Sequence, residues 1–170
     1  MLRIINDLDH FFEDCYQRIN VRGYARLMKI SPPTASKLLS EYEKEGLLKK
    51  EIDQNYYFYH ANKYNKTFID LSRIYWNIKL GDTVTKLKES LTNPTIILFG
   101  SLSKAEVKEN SDIDLAIFAT ERKINFNPFE KKLKRKIQVL WFLSPKSITS
   151  PDLKNSILNG YVLTGRINCD

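Results

Sequence analysis

The stretch TIILFGSLSKAEVKENSDIDLAIF, Thr95 to Phe118, decides the fold of the C-terminal half. Thr95 to Phe99 has the length and composition of a buried strand and runs straight into Gly100 and Ser101. After ten intervening residues come Asp112, Ile113 and Asp114, opening a second apolar run to Ala119. Residues two apart in a strand share a face, so Asp112 and Asp114 project together while Ile113 and Leu115 enter the core. Paired carboxylates are costly unless a cation sits between them, and hard divalent ions such as magnesium take oxygen ligands and bridge phosphates. Gly100 lets backbone amides approach a phosphate and the Ser101 hydroxyl can donate to one; Ser103, Lys104 or Lys108 can neutralise more of its charge. Triphosphate and metal are the natural occupants.

The order strand, GS, ten-residue spacer, DxD, strand closely resembles the DNA polymerase beta-like nucleotidyltransferase superfamily, in particular its minimal members from archaea and bacteria. The resemblance covers about Asp82 to Leu163, with a helix expected over Thr83 to Leu91. It implies a mixed sheet flanked by helices, and transfer of a nucleoside monophosphate from a nucleoside triphosphate to an acceptor as pyrophosphate leaves. By the same resemblance Asp112 and Asp114 are the catalytic pair that holds Mg2+ or Mn2+. Gly100 and Ser101 hold the beta and gamma phosphates, with Ser103 and Lys104 completing the nucleotide-binding set. Relatives in toxin and antitoxin systems transfer AMP to proteins, so the implied acceptor is a protein or a nucleic acid.

The family usually adds a third carboxylate from the next strand. That strand reads here as KIQVLWFL, Lys136 to Leu143, after a basic helix near Pro128 to Arg135, and the residue at the expected place is Gln138. An amide binds metal weakly, cannot take a proton from an acceptor hydroxyl, and removes one negative charge from the site. Glu130 and Asp152 are the acids in neighbouring segments that would have to substitute.

Toward the N-terminus, Ile4 to Tyr16 reads as a helix and Val21 to Lys29 as a second, shorter one. In ISPPTASKLLSEYEKEGLLKK, Ser31 is a good N-cap and Pro32 suits the first helical position. Ala35, Leu38, Leu39 and Tyr42 form a stripe for burial, and Gly46 ends the helix. A hairpin follows, Leu47 to Glu51 and Tyr56 to His60 around Asp53, Gln54 and Asn55. This order resembles the winged helix-turn-helix heads of archaeal and bacterial regulators. The face opposite the stripe carries Thr34, Ser36, Lys37, Ser40 and Lys44, which can reach base edges and phosphates of DNA. A head that mediates only protein contacts is the alternative.

Between the two parts, Asn65 to Leu80 reads as a linker helix with Phe68, Leu71, Tyr75 and Ile78 on one stripe. The stripe either docks on a flanking domain or pairs with its copy in a homodimer. The expected organisation is a head over 1–62, a linker helix over 63–81 and a nucleotidyltransferase-like domain over 82–170. SPDLKNSILNGYVLTG closes the chain with a short helix from about Ser150 and a strand at Tyr161 to Leu163. The fold class is therefore α+β.

The 170 residues carry 27 Lys and Arg against 20 Asp and Glu, a net +7, with 42% hydrophobic residues. No apolar run reaches the roughly 18 residues of a membrane span. The acidic N-terminus lacks a secretory signal, and Cys15 and Cys169 read as free thiols of a cytoplasmic protein. His10 and His60 have no partner at metal-ligand spacing. The first 62 residues balance nine basic against nine acidic groups, so the head is neutral. The excess concentrates at Arg122, Lys123, Lys131, Lys132, Lys134, Arg135 and Lys136, read as a basic rim or a solvated helix face. Two functions remain: nucleotidyl transfer delivered or regulated by a DNA-binding head, and a regulator whose impaired transferase fold senses nucleotide or drives assembly. The intact GS and DxD favour the first, and Gln138 with the fused head favours the second.

Overall fold

The computed structural model describes residues 2–167. Two compact units divide the chain: Met1–Ser72 with Ala105–Glu109, and Arg73–Lys104 with the chain from Asn110 onward.

The first unit begins with α1 (Arg3–Asp7) and α2 (Asp9–Glu13), where the sequence suggested one helix. The apolar period runs unbroken through Leu8, so it hides a backbone break at that residue, which leaves helical geometry while its side chain stays fully buried. β1 (Ile19–Asn20) leads into α3 (Val21–Met28), capped by the Asn20 side chain, which accepts from Gly23 N at 2.7 Å. Ser31 caps α4 (Pro32–Lys44), accepting from Thr34 N, and the helix buries Ala35, Leu39 and Tyr42. Leu38, expected on the buried stripe, is half-exposed. β2 (Leu48–Asp53) and β3 (Tyr56–Ala61) meet at Gln54 and Asn55, both with positive φ, as a two-residue hairpin turn of this hand requires. β3 lies between β1 and β2 in an antiparallel sheet.

Buried Asp7 ties these helices together: Tyr42 donates to its Oδ2 at 2.7 Å and Tyr24 donates to its backbone carbonyl at 2.8 Å. α5 (Lys66–Lys79) follows, and its buried row is Phe68, Ser72, Tyr75 and Trp76. Leu71 is half-exposed and Ile78 exposed, so the apolar stripe read from sequence is rotated toward Ser72 and Trp76.

In the second unit α6 (Gly81–Ser90) precedes β4 (Thr95–Phe99), whose five residues are all buried. α7 (Ser101–Lys104) and β5 (Ile113–Phe118) come next, then α8 (Asn127–Leu133), β6 (Ile137–Phe142), α9 (Pro151–Leu158) and β7 (Tyr161–Thr164). The sheet order is β6-β5-β4-β7, with β5 and β6 parallel and the other pairs antiparallel. Ile97, Phe99, Ala116, Ile148 and Ile157 form a core on one face, with Phe118, Phe142 and Leu153 packed against it. The unit is α+β with a mixed sheet, consistent with the nucleotidyltransferase fold expected. Among the described residues no helix is long and apolar enough to cross a membrane. Cys15 is buried and free, and Cys169 lies outside the described residues.

Candidate functional site

The polar end of the second sheet forms where β4 stops and β5 and β6 begin. Asp114 stands in register with Phe99 of β4 on one side and Gln138 of β6 on the other. Asp112, two residues earlier, shares the face of Asp114 and is half-exposed with it. Gln138 reaches across and donates Nε2 to Asp112 Oδ2 at 2.6 Å. A carboxylate only accepts, so the amide nitrogen is the end of Gln138 that faces it. The position expected to hold a third carboxylate is thus occupied by a neutral donor aimed at the acidic pair.

Gly100 shapes the other wall. Its φ is +71°, and a Cβ there would collide with Asp114 Oδ2, so the bare backbone is what allows the carboxylate to lie against the turn. Ser101 opens α7 and is half-buried. Ser103 is fully buried, and its hydroxyl donates to Gly100 O at 2.9 Å, a bond that stabilises the turn. Arg73 Nε donates to Ser103 O at 2.8 Å, and Lys104 projects to solvent. Of the four residues assigned to the nucleotide, Gly100, Ser101 and Lys104 line or flank the turn, while Ser103 sits beneath it.

Burial, and after it the charge of Asp112, push the Asp114 carboxyl above its ordinary value. A cation between the two acids would relieve both effects, and the paired oxygens beside a Cβ-free turn suit one hard divalent ion with phosphate oxygens completing its shell. Among the described residues no group of three or more His, Cys, Asp or Glu side chains gathers as a metal site. Glu130 accepts from Ile137 N at 2.9 Å and so anchors the start of β6, and Asp152 lies in the first turn of α9.

Arg135 is a finding of the structure. Counted from sequence among exposed basic residues, it is buried, donates to Ser111 O at 2.7 Å beside Asp112, and lies over the Trp76 ring at 5.3 Å. Ile113 N donates to Lys136 O at 2.8 Å, so both sides of Asp112 are held by the entry to β6. The rim loses Arg135 but keeps Arg122, Lys123, Lys131, Lys132, Lys134 and Lys136 exposed, with Lys132 paired to Asp82.

Residues 84–166 match the family model of the polymerase beta nucleotidyltransferase domain. The match supports a nucleotidyltransferase-family protein. No curated protein matches the chain. The matched segment contains β4, the Gly100 turn, the Asp112 and Asp114 pair and Gln138.

In the first unit, α4 exposes Thr34, Ser36, Lys37 and Lys44 and half-exposes Ser40, so the five residues read from sequence lie away from the buried row. Lys37 pairs with Glu41 at 4.0 Å, and the Thr34 and Ser31 hydroxyls bond at 2.8 Å. Sequence reading missed Arg22 and Arg26 of α3, which line a depression with Ile30 and Pro32 at the start of α4. Their four-residue spacing, on a helix that buries Tyr24 and Ala25, was the available signal.

Proposed function

We propose that this nucleotidyltransferase-family protein acts in the cytoplasm, transferring a nucleoside monophosphate from a nucleoside triphosphate to a protein or nucleic-acid acceptor, with a winged helix-turn-helix head that binds DNA. The observation that carries this is the placement of Asp112 and Asp114 on one face against the Cβ-free Gly100 turn. These two carboxylates would hold Mg2+ or Mn2+, which when bound neutralises phosphate charge and polarises the reacting phosphoryl group. Gly100 and Ser101 would receive the beta and gamma phosphates, and Lys104 would add positive charge at the rim of the turn. Gln138 cannot accept the proton of an acceptor hydroxyl, so the acceptor must lose it to solvent or to a group it brings. For the head, the exposed row on α4, the two-residue turn between β2 and β3, and Arg22 and Arg26 support contact with duplex DNA.

A second reading rests on the Gln138 bond to Asp112. In it the site binds nucleotide without transferring it, and the fold serves as a nucleotide-sensing or assembly module of a transcriptional regulator. Incubation with labelled ATP, GTP, CTP and UTP in magnesium or manganese separates the two. Transfer of label or release of pyrophosphate, lost in Asp112→Ala while duplex binding persists, supports the enzyme. Tight duplex binding without any transfer eliminates the enzyme reading and leaves the regulator.

A further inference from the structure

A group of cations and tyrosine rings stands on the sheet of the first unit, away from the α4 row and unused by either reading above. Leu48 and Tyr59 point into the core, whereas Lys49, Glu51, Phe58 and His60 stand on the opposite face, paired Lys49 with His60 and Glu51 with Phe58. Tyr16 and Tyr64 flank that face, the residues 45% and 77% exposed. Lys63 lies 4.2 Å from the Tyr16 centroid and 5.6 Å from that of Tyr64. Lys49 lies 5.3 Å from the Tyr64 centroid and Lys108 5.4 Å from that of Tyr16. The segment bearing Lys108 is held to this unit by Cys15 N donating to Val107 O at 2.8 Å.

We propose that this face binds single-stranded nucleic acid, the tyrosines stacking unpaired bases and the lysines contacting the phosphates between them. The chemistry matches in three ways. Arg18 takes up the acids of the sheet face itself, pairing with Glu51 and, at 3.0 Å, with Asp53, while Lys63 donates to the Tyr16 hydroxyl at 3.0 Å and stands with Lys49 beside the Tyr64 ring. Asp14 and Glu106 act on the same neighbourhood, so charge alone is modest and the ring faces carry the recognition. Tyr64 is largely exposed, and base stacking on an aromatic ring is sequence-tolerant and available only to unpaired bases. The depression bounded by Tyr16, Tyr64, Lys49 and Lys63 is open and about 240 Å³, below the roughly 300 Å³ at which pockets begin to enclose small ligands. A strand crossing it is the better fit.

The test titrates the full chain with labelled oligo(dT) and measures fluorescence anisotropy. Tyr64→Ala should weaken binding about tenfold or more, and Tyr64→Phe, which keeps the ring, should bind like the parent. Lys63→Gln should lower the slope of log K against log salt by about 0.7, one phosphate contact to a single strand. Tyr64 is so exposed that its replacement leaves the fold intact, and duplex binding through α4 serves as the internal control. The proposal is overturned if Tyr64→Ala binds oligo(dT) as the parent does, if polyphosphate competes as well as oligo(dT) at equal phosphate, or if Lys37→Ala abolishes both kinds of binding.

Discussion

Gln138 Nε2 donates to Asp112 Oδ2 at 2.6 Å, so the acidic pair at the end of the second sheet is bonded by a neutral amide where a third carboxylate is expected. The bond takes up part of the capacity of Asp112 to accept, and a cation at the pair would have to compete with it or turn the amide to present oxygen. Gln138→Glu replaces the donor by a charge. In the absence of metal the variant should be less stable than the parent, because three carboxylates then share one face. With millimolar MgCl2 or MnCl2 the order should reverse, the variant gaining more in thermal unfolding temperature than the parent. Equal metal-induced shifts in the two proteins would show that position 138 does not face the metal.

Gly100→Ala tests the turn directly. A side chain at φ +71° costs about 1–2 kcal/mol in left-handed backbone strain, and its Cβ must also displace the Asp114 carboxylate. Urea unfolding should therefore show a loss of at least about 1 kcal/mol, and the stabilisation by Mg2+ with a nucleoside triphosphate should fall away with it. Retention of the full ligand response would mean that Asp114 is free to move without consequence.

The parts of this architecture that sequence exposes are those with a strong local period. β4 is apolar without interruption and ends in the Gly100 and Ser101 pair, so its limits and the turn after it are plain. The family resemblance, not a local period, points to Gln138, since only Ile137, Gln138 and Val139 of KIQVLWFL alternate, and the parallel register of Asp114 with Gln138 is seen in the sheet alone. Arg135 is hidden because its neighbours give no contrast. In the run from Lys131 to Lys136 every cation looks alike, and only the position of Trp76 and the Ser111 carbonyl determines which one turns inward. β1 has two residues, too few for alternation to register, and the rotation of the buried row on α5 depends on Ser72, which a hydropathy stripe overlooks. The Tyr16 and Tyr64 face joins residues far apart in sequence and leaves no local trace.

Lys37→Ala with Lys44→Ala addresses the head. Both side chains are exposed, so stability should change by no more than about 0.5 kcal/mol. If each meets a phosphate of duplex DNA, the slope of log K against log salt should fall by about two, at about 0.9 per contact, with sequence preference retained. An unchanged slope would remove α4 from the DNA interface and leave the protein-contact alternative for the head.

Alkaline pH should unfold the first unit through groups the site does not use. Burial pushes the Cys15 thiol from 9.0 to about 11, and burial likewise raises the hydroxyls of Tyr24 and Tyr42, the latter also hydrogen-bonded to Asp7. Each group binds its proton more tightly in the folded chain, so the folded state holds more protons than the unfolded one once pH passes the unfolded values. Stability is accordingly full below about pH 9 and falls as pH rises toward 11 and beyond. At about 1.4 kcal/mol for each tenfold change, Cys15 alone accounts for about 3 kcal/mol of that loss. Cys15→Ala should start less stable at neutral pH, because it leaves a gap at a buried position, yet decline less steeply above pH 9, and guanidinium unfolding midpoints across that range give both slopes. Parallel slopes for parent and variant would show that the Cys15 thiol ionises as readily folded as unfolded, and would place the alkaline transition on the tyrosines held by Asp7.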